Sequence, residues 1–509
     1  MRAVAVILAL VATPVLHGLS FPPTRLAPLA WFAFVPWFVA LRLVGLRAAL
    51  ALSAVVTLAG TYLVARWLPA GVATYYGQSF ALGVGLFVAA WTVTMSPWLL
   101  AFTACYRAAA RRAAATLPLI VGAGWVGAEL ARVRIGLGNP FGLLGYSQVA
   151  MTPLVQIADV TGVYGVSFLV AAVNAALAEV CYARGWERAR LGGAYRGLAV
   201  VAGAVAVALV YGTVRLHATL PAHPPTTVAV AQGNLDLGSQ WQQEFYGVNL
   251  EEYMRLTLDV VRRERPALVF WPESAMTFFV EDEPLYRTAL GRLLAPGGVE
   301  LVAGGPRKDG AGAERYHNSA FLLSPDGRIT ARYDKERLLP FAEYFPLDSV
   351  ELLRREFGRV RTFVPGVPTP PLPTVAGPAG IVICNEAMFP ELVRARVRDG
   401  AAYLVNLTND SWLGDTQFSA QAFDMARLRA IEERRYVVRA STSGPSAIID
   451  PFGRVLAETR PSSRATVSGT VRAIDAETPY ARVGDAFAFG CAVVAVAAAA
   501  LSRSRPARR

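Results

Sequence analysis

Lysine is almost missing from this chain: of 49 basic residues only Lys308 and Lys335 are lysine, and the rest are arginine. Histidine and cysteine number four each, and charged residues make up only 17% of the 509 positions. A soluble globular chain carries about 25% charged residues, so this shortage excludes a wholly soluble protein, while 54% hydrophobic content excludes a disordered one. Four scattered histidines and no C-x-x-C pair leave no zinc cluster to build. Three of the cysteines, Cys105, Cys181 and Cys491, fall in or beside apolar stretches, so Cys384 stands without a partner in the remainder. A channel made only of helices is disfavoured too, because residues 225–480 read as an ordinary water-exposed α/β domain.

The apolar residues are concentrated before position 216 and again near the C-terminus. A bilayer-spanning helix needs about 20 mainly apolar residues, and eight stretches qualify as candidates, near 3–19, 27–45, 48–65, 79–105, 116–131, 161–182, 196–214 and 485–501. The first is read as an uncleaved helix, since no small-residue cleavage site ends it and a second apolar stretch follows at once. Eight spans place both termini on one side, and the loops on that side hold fourteen arginines, from Arg2 through Arg42, Arg107 and Arg184 to Arg509. The opposite short loops hold only Arg25, Arg66, Arg132 and Arg134. The positive-inside rule therefore puts the termini in the cytoplasm and the domain between spans seven and eight outside. Without those fourteen charges the net charge of +12 falls close to neutral, so the basic balance reports topology and argues against a nucleic-acid partner. Two acids lie within spans, Glu129 and Glu179. Local pairing is expected for them, with Arg132 for the former and the cytoplasmic boundary for the latter.

The expected organisation is a membrane domain over 1–216, an outward domain over 225–480 and a final helix over 485–501. After the linker Leu220–Pro225, short apolar strands alternate with amphipathic helices. Strands are expected at 226–232, 267–271, 300–304, 318–324, 329–334, 380–384, 403–407, 437–441, 446–450 and 466–472, and helices at 242–264, 284–294, 390–398 and 419–435. Ser324-Pro325-Asp326-Gly327 and Asp450-Pro451-Phe452-Gly453 are turn signals, and the proline-rich run 364–378 reads as a loop. Such a pattern suits sheets bearing helices on their outer faces.

Three residues in this domain combine unusual chemistry with position. Cys384 ends the apolar run Gly380-Ile381-Val382-Ile383 just before a helix, a junction that exposes a side chain and offers free backbone N–H groups. It is either a small buried hydrophobe or a reactive thiol. Lys335 follows a strand, in Asp334-Lys335-Glu336, whereas Lys308 lies in what reads as an exposed turn. In a chain this poor in lysine, retention of one suggests a site where a compact ammonium serves and a planar guanidinium does not. Glu273, in Phe270-Trp271-Pro272-Glu273, lies past an apolar strand, where apolar walls raise a carboxyl's pKa towards that of a general base. A solvated loop glutamate is the plain alternative.

Trp-Pro-Glu, Asp-Lys with the following Pro340-Phe341 and Glu343-Tyr344, and Ile383-Cys384-Asn385-Glu386 together resemble the nitrilase superfamily, whose catalytic set is Glu-Lys-Cys. With the many apolar stretches, the chain is similar over nearly its whole length to the apolipoprotein N-acyltransferase family. The similarity includes Gly138–Ser147, Gly162–Phe168, Gln232-Gly233-Asn234, Leu407–Asp415 and Ser446–Asp450. That resemblance implies a polytopic helical membrane domain of about eight spans joined to an αββα nitrilase-like sandwich facing the periplasm of the bacterial inner membrane. It implies a fatty acyl chain passing from a phospholipid, typically phosphatidylethanolamine, to the α-amine of a diacylglyceryl-cysteine lipoprotein through a thioester on Cys384. Glu273 would be the base, and Lys335 with the backbone N–H after Cys384 would hold the oxyanion. Glu343 would orient Lys335, Glu386 the loop after the nucleophile, and Trp241 would line the lipid entry. A monomer without metal or cofactor is expected. The chain departs from the family pattern at Asn385, commonly tyrosine, and at Ala342, commonly glycine. The competing readings are a membrane-tethered amidase with the same triad, and a transporter or scaffold whose domain is inactive.

Overall fold

In the computed structural model, which describes residues 1–235, 243–310, 315–344, 363–411 and 416–503, the chain divides into two units. One comprises Met1–Ala70, Ser79–Ala218 and the chain from Thr478 onward; the other comprises Gly71–Gln78 and Thr219–Glu477.

In the first unit the apolar stretches become helices. Among the described residues, four are long and apolar enough to cross a bilayer: Arg2–Leu19, Leu46–Val64, Val163–Trp186 and Arg188–Leu216. Phe80–Thr94 and Ser96–Ala109, bent by 50° at their junction, make a fifth if taken as one span. This is fewer than the eight expected, for a physical reason. Helix Leu117–Arg134 carries Glu129, Arg132 and Arg134 within its 18 residues, and Ala27–Leu43 and Ala486–Leu501 are shorter apolar helices. The unit is held by an aromatic core in which Phe34, Trp37, Phe38, Phe102, Tyr106 and Trp125 meet ring to ring. Charges inside such a core need partners. Glu179 meets Arg42 at 2.5 Å and Arg190 at 2.6 Å. Glu129 and Arg132 lie close enough to attract each other, while their direct hydrogen bonds go elsewhere. Glu129 Oε1 accepts from the Trp125 indole at 2.9 Å and the Leu144 N–H at 2.7 Å, and Arg132 donates to the Phe141 carbonyl at 2.7 Å.

The second unit is a two-sheet sandwich. Its strands are β1 (Thr226–Gln232), β2 (Leu268–Phe270), β3 (Glu300–Lys308), β4 (Tyr316–Leu323), β5 (Ile329–Asp334), β6 (Leu372–Thr374), β7 (Gly377–Ile383), β8 (Tyr403–Thr408), β9 (Val437–Ser441), β10 (Ala447–Ile449), β11 (Val455–Glu458) and β12 (Ala465–Val471). One sheet runs β12-β1-β2-β3-β4-β5 and the other β11-β10-β9-β8-β7-β6. Each has three parallel strands, β1-β2-β3 and β7-β8-β9, extended by antiparallel neighbours. The inner faces pack together through Val228, Val230, Phe270, Val302, Ile381, Ile383, Val405 and Val438, all buried. Residues one place along the strands, Val269, Leu301 and Phe321, turn outward against Tyr253, Val260, Leu290 and Leu294, which belong to helices Tyr246–Glu264 and Pro284–Leu294. Strands buried on both faces explain why the sequence shows near-continuous apolar runs there, without alternation.

Two strands were not expected. β6 lies inside the proline-rich run, with Pro373 opposite Pro378 at the sheet's edge, a place where a missing N–H costs no ladder bond. β11 is the other edge strand of that sheet and alternates half-buried with exposed residues. Lys308 is the last residue of β3, not part of a turn, and is exposed.

Candidate active site

The sandwich brings three distant loops to one edge. Glu273 comes three residues after β2, Lys335 directly after β5 and Cys384 directly after β7. Open α/β sheets present ligand-binding residues at the carboxyl ends of parallel strands, and β2 and β7 both end here. Cys384 opens the 3₁₀ turn Cys384–Met388 with φ at +53°, a left-handed conformation that a side-chain-bearing residue adopts only when its surroundings impose it.

Lys335 is 1% exposed, and its Nζ lies 2.8 Å from Glu343 Oε2 and 3.7 Å from Glu273 Oε1. Asn318, on β4, spans the two acids: its Nδ2 donates to Glu273 Oε1 at 2.7 Å and to Glu343 Oε1 at 2.8 Å. The other oxygen of each acid takes a backbone N–H, from Asn409 at 2.8 Å for Glu273 and from Leu339 at 2.7 Å for Glu343. Every carboxylate oxygen is thus tied, and the ammonium sits between two fixed negative groups. Glu386 is fully buried, and its carboxyl gathers the nucleophile turn and the loop after Lys335. It accepts from Ile383 N–H at 2.7 Å, Glu336 N–H at 2.7 Å, Arg337 N–H at 2.9 Å and the Tyr333 hydroxyl. Asn385 is buried and donates to the Arg337 carbonyl at 3.4 Å. Trp241 lies outside the described residues.

Burial governs the proton affinities. Desolvation raises the Glu273 carboxyl, against the pull of Lys335 and with the push of Glu343. The Cys384 thiol is raised by burial and by Glu273, which Lys335 only partly offsets. Desolvation would lower Lys335, but Glu343, Glu273, Cys384 and Glu386 together overcome it and hold the ammonium charged. Glu386 is pushed up to about 7 by burial, with Lys335 opposing. The buried thiol therefore keeps its proton at neutral pH, and the Glu273 carboxyl binds a proton more readily than a free one does. Among the described residues no group of three or more His, Cys, Asp or Glu side chains is placed to hold a metal ion.

Asn318 was missed in the sequence. The signal was weak, a carboxamide between His317 and Ser319 in the polar first half of the strand Tyr316–Leu323. A second omission is Gly304 on β3. A Cβ there would lie 2.6 Å from the Pro272 carbonyl oxygen and 2.7 Å from Glu273 Cα, so glycine is what lets the loop carrying Glu273 lie on the strand. Gly304→Ala is expected to cost about 1–3 kcal/mol of stability by overpacking and to lower turnover by displacing Glu273. Gly247→Ala, where nothing lies within 4 Å, is the control. Thermal unfolding and a turnover assay on the two variants check this.

Residues 227–478 match the carbon-nitrogen hydrolase family model, and residues 14–176 match the apolipoprotein N-acyltransferase N-terminal domain. The apolipoprotein N-acyltransferase of Geobacter metallireducens is 36% identical over 97% of this chain and 95% of its own length. That of Gloeobacter violaceus is 30% identical over 100% of this chain and 96% of its own, and that of Bradyrhizobium diazoefficiens is 32% identical over 78% and 75%. A match running through both the apolar helices and the sandwich, at this identity and coverage, means that the chain belongs to the apolipoprotein N-acyltransferase family.

Proposed function

We propose that this chain is an acyltransferase that moves a fatty acyl group from a phospholipid to the N-terminal α-amine of a diacylglyceryl-cysteine lipoprotein, by way of a thioester on Cys384. The observation that carries the reading is the constellation Glu273–Lys335–Cys384 at the strand ends of the two sheets, with Lys335 clamped between two carboxylates, in a chain of this family. In the first half-reaction Cys384 Sγ attacks the sn-1 ester carbonyl while Glu273 takes the thiol proton. Lys335 and the backbone N–H of Asn385 hold the oxyanion. Collapse expels the lysophospholipid alkoxide, which recovers the proton from Glu273. In the second half-reaction the lipoprotein amine attacks the thioester carbonyl, Glu273 takes the amine proton, and the departing thiolate recovers it. Glu343 holds Lys335 in place, and Glu386 braces the nucleophile turn. Phosphatidylethanolamine is the donor we favour, and the protein acts as a monomer.

The reaction needs no metal or cofactor, because ester and thioester are both acyl donors that a thiolate or amine can attack. Supplying purified protein with phospholipid and a diacylated lipopeptide is expected to yield an N-acylated lipopeptide, heavier by one acyl group. Hydrolysis of the phospholipid without transfer, or activity only on amides, would sink the proposal.

The arginine distribution supports a topology of eight spans with the sandwich outside the cytoplasmic membrane. A reporter fused after Arg509 is expected to read cytoplasm, and one inserted within Leu220–Pro225 to read periplasm. Both on one side would refute it.

A further inference from the structure

Beneath the nucleophile and the base lies a buried polar network that the proposed reaction does not use directly. Arg439, on β9, stands beside Asn406 of β8 in the parallel register. Arg439 and Asp410 form an ion pair at 2.8 Å with side chains 1% and 2% exposed. The second guanidinium nitrogen donates to Asn406 Oδ1. A carboxamide has one accepting and one donating end, so fixing Oδ1 aims Nδ2 the other way, where it donates to the Val382 carbonyl at 3.3 Å and the Cys384 carbonyl at 3.4 Å. Asn406 thus grips the backbone of the residue held at φ +53°.

The other arm runs to the base. Asp410 also accepts from Thr408 Oγ1 at 3.0 Å and Ser441 Oγ at 2.9 Å. A Cβ on Gly444 would stand 1.9 Å from Asp410 Oδ2, so the loop after β9 closes tightly over this carboxylate. Asp410 is joined by one peptide bond to Asn409, whose N–H holds Glu273 Oε2 at 2.8 Å. The same loop after β9 supplies Thr442, whose hydroxyl donates to the Glu273 carbonyl at 3.3 Å. Isolated buried ion pairs contribute little net stability, because desolvation offsets their attraction. What this pair does supply is geometry at two points.

We propose that Arg439 is a positioning residue that sets the distance between nucleophile and base, through Asn406 to the Cys384 backbone and through Asp410 to the loop that holds Glu273. This inference rests on the thioester reading above and names a part of that machinery. A planar guanidinium spans both partners, whereas a single ammonium on a flexible stem cannot bond two groups in fixed relative orientation. A shift of order 1 Å between reacting groups costs about 100-fold in rate.

The test uses the full chain in detergent and three variants. Arg439→Lys keeps the charge and loses the fork. Asn406→Asp can still accept from Arg439 but cannot donate to the Cys384 carbonyl. Arg435→Lys is the control for loss of a buried guanidinium, since Arg435 donates to the Ala401 and Ala476 carbonyls and bonds none of these groups. Each is measured for thermal unfolding, for single-turnover acylation of Cys384 by phospholipid in mixed micelles, and for alkylation of Cys384 by iodoacetamide, read on the isolated peptide.

Expected are a roughly 100-fold fall in the maximal acylation rate for Arg439→Lys and Asn406→Asp, an unchanged half-saturating phospholipid concentration, slower alkylation in both, and wild-type rates per folded molecule for Arg435→Lys. If the first two variants lower only the unfolding temperature and keep the wild-type rate per folded molecule, Arg439 is merely structural and the proposal falls. If Arg439→Lys fails to fold, Asn406→Asp decides alone. If the wild type is alkylated yet never acylated, the thioester reading has failed, and the alkylation rates still decide the positioning role.

Discussion

Incubated with phospholipid and no acceptor, the protein is expected to gain one fatty-acyl mass on the peptide that contains Cys384. The reason is the state of the thiol. A free cysteine titrates near 8.5, and here burial and Glu273 raise it further, so the resting sulfur is protonated and protected. Its proton can leave only as the ester carbonyl is attacked, towards a carboxyl that burial has itself raised. Once the lysophospholipid departs, the thioester faces no nucleophile until an amine arrives, which makes the acyl-enzyme an accumulating species and the kinetics ping-pong. Hydroxylamine is expected to strip the label, and a diacylated lipopeptide to discharge it. Cys384→Ala is expected to carry none, while replacing Cys105, Cys181 and Cys491 together leaves labelling intact. A wild-type protein that forms product yet never carries acyl on Cys384, even without acceptor, would replace this mechanism with direct transfer in a ternary complex.

Lys335→Arg is expected to reduce acylation by about 100- to 1,000-fold, the range for loss of one oxyanion donor. The ammonium has 1% exposure and contacts at 2.8 and 3.7 Å to two carboxylates that Asn318 and backbone N–H groups hold rigid. A guanidinium is wider and planar, and satisfying the same two acids would carry its charge away from the carbonyl oxygen beside Cys384. The acids stay neutralised, so the fold persists; Lys335→Ala, by contrast, leaves two buried carboxylates uncompensated and is expected to destabilise by about 3–5 kcal/mol. Lys308→Arg is expected to be nearly silent, because Lys308 is exposed and its partner Asp282, at 2.6 Å, accepts from either cation. Equal activity in Lys335→Arg and Lys308→Arg would show that the scarcity of lysine carries no functional information.

Much of this molecule could be read from the amino-acid order. Strands buried on both faces announce themselves as uninterrupted apolar runs, which is why Gly380–Ile383 and Leu268–Phe270 read as strands. Glu273 and Cys384 stood out because each follows such a run with a chemically distinctive group, and Lys335 because lysine is so scarce in this chain. The edge strands β6 and β11 were not, since an edge strand is half solvated and tolerates proline, and so has no apolar signature. Not every apolar stretch became a long apolar helix, since Leu117–Arg134 carries Glu129, Arg132 and Arg134 and two others are shorter.

What only the tertiary structure decided is which polar residues meet. Asn318 and Glu273 are 45 positions apart and Asn409 and Glu273 are 136 apart, so no local pattern relates them; sheet pairing does. Strand register alone sets Arg439 opposite Asn406, and a slip of one residue would turn both side chains to the other face. The kinds of chemistry this chain can perform follow from its composition and its motifs. Which carboxylates an ammonium meets follows from packing, because contacts of this kind act over about 3–4 Å and only the folded sheets set Lys335 2.8 Å from Glu343 and 3.7 Å from Glu273.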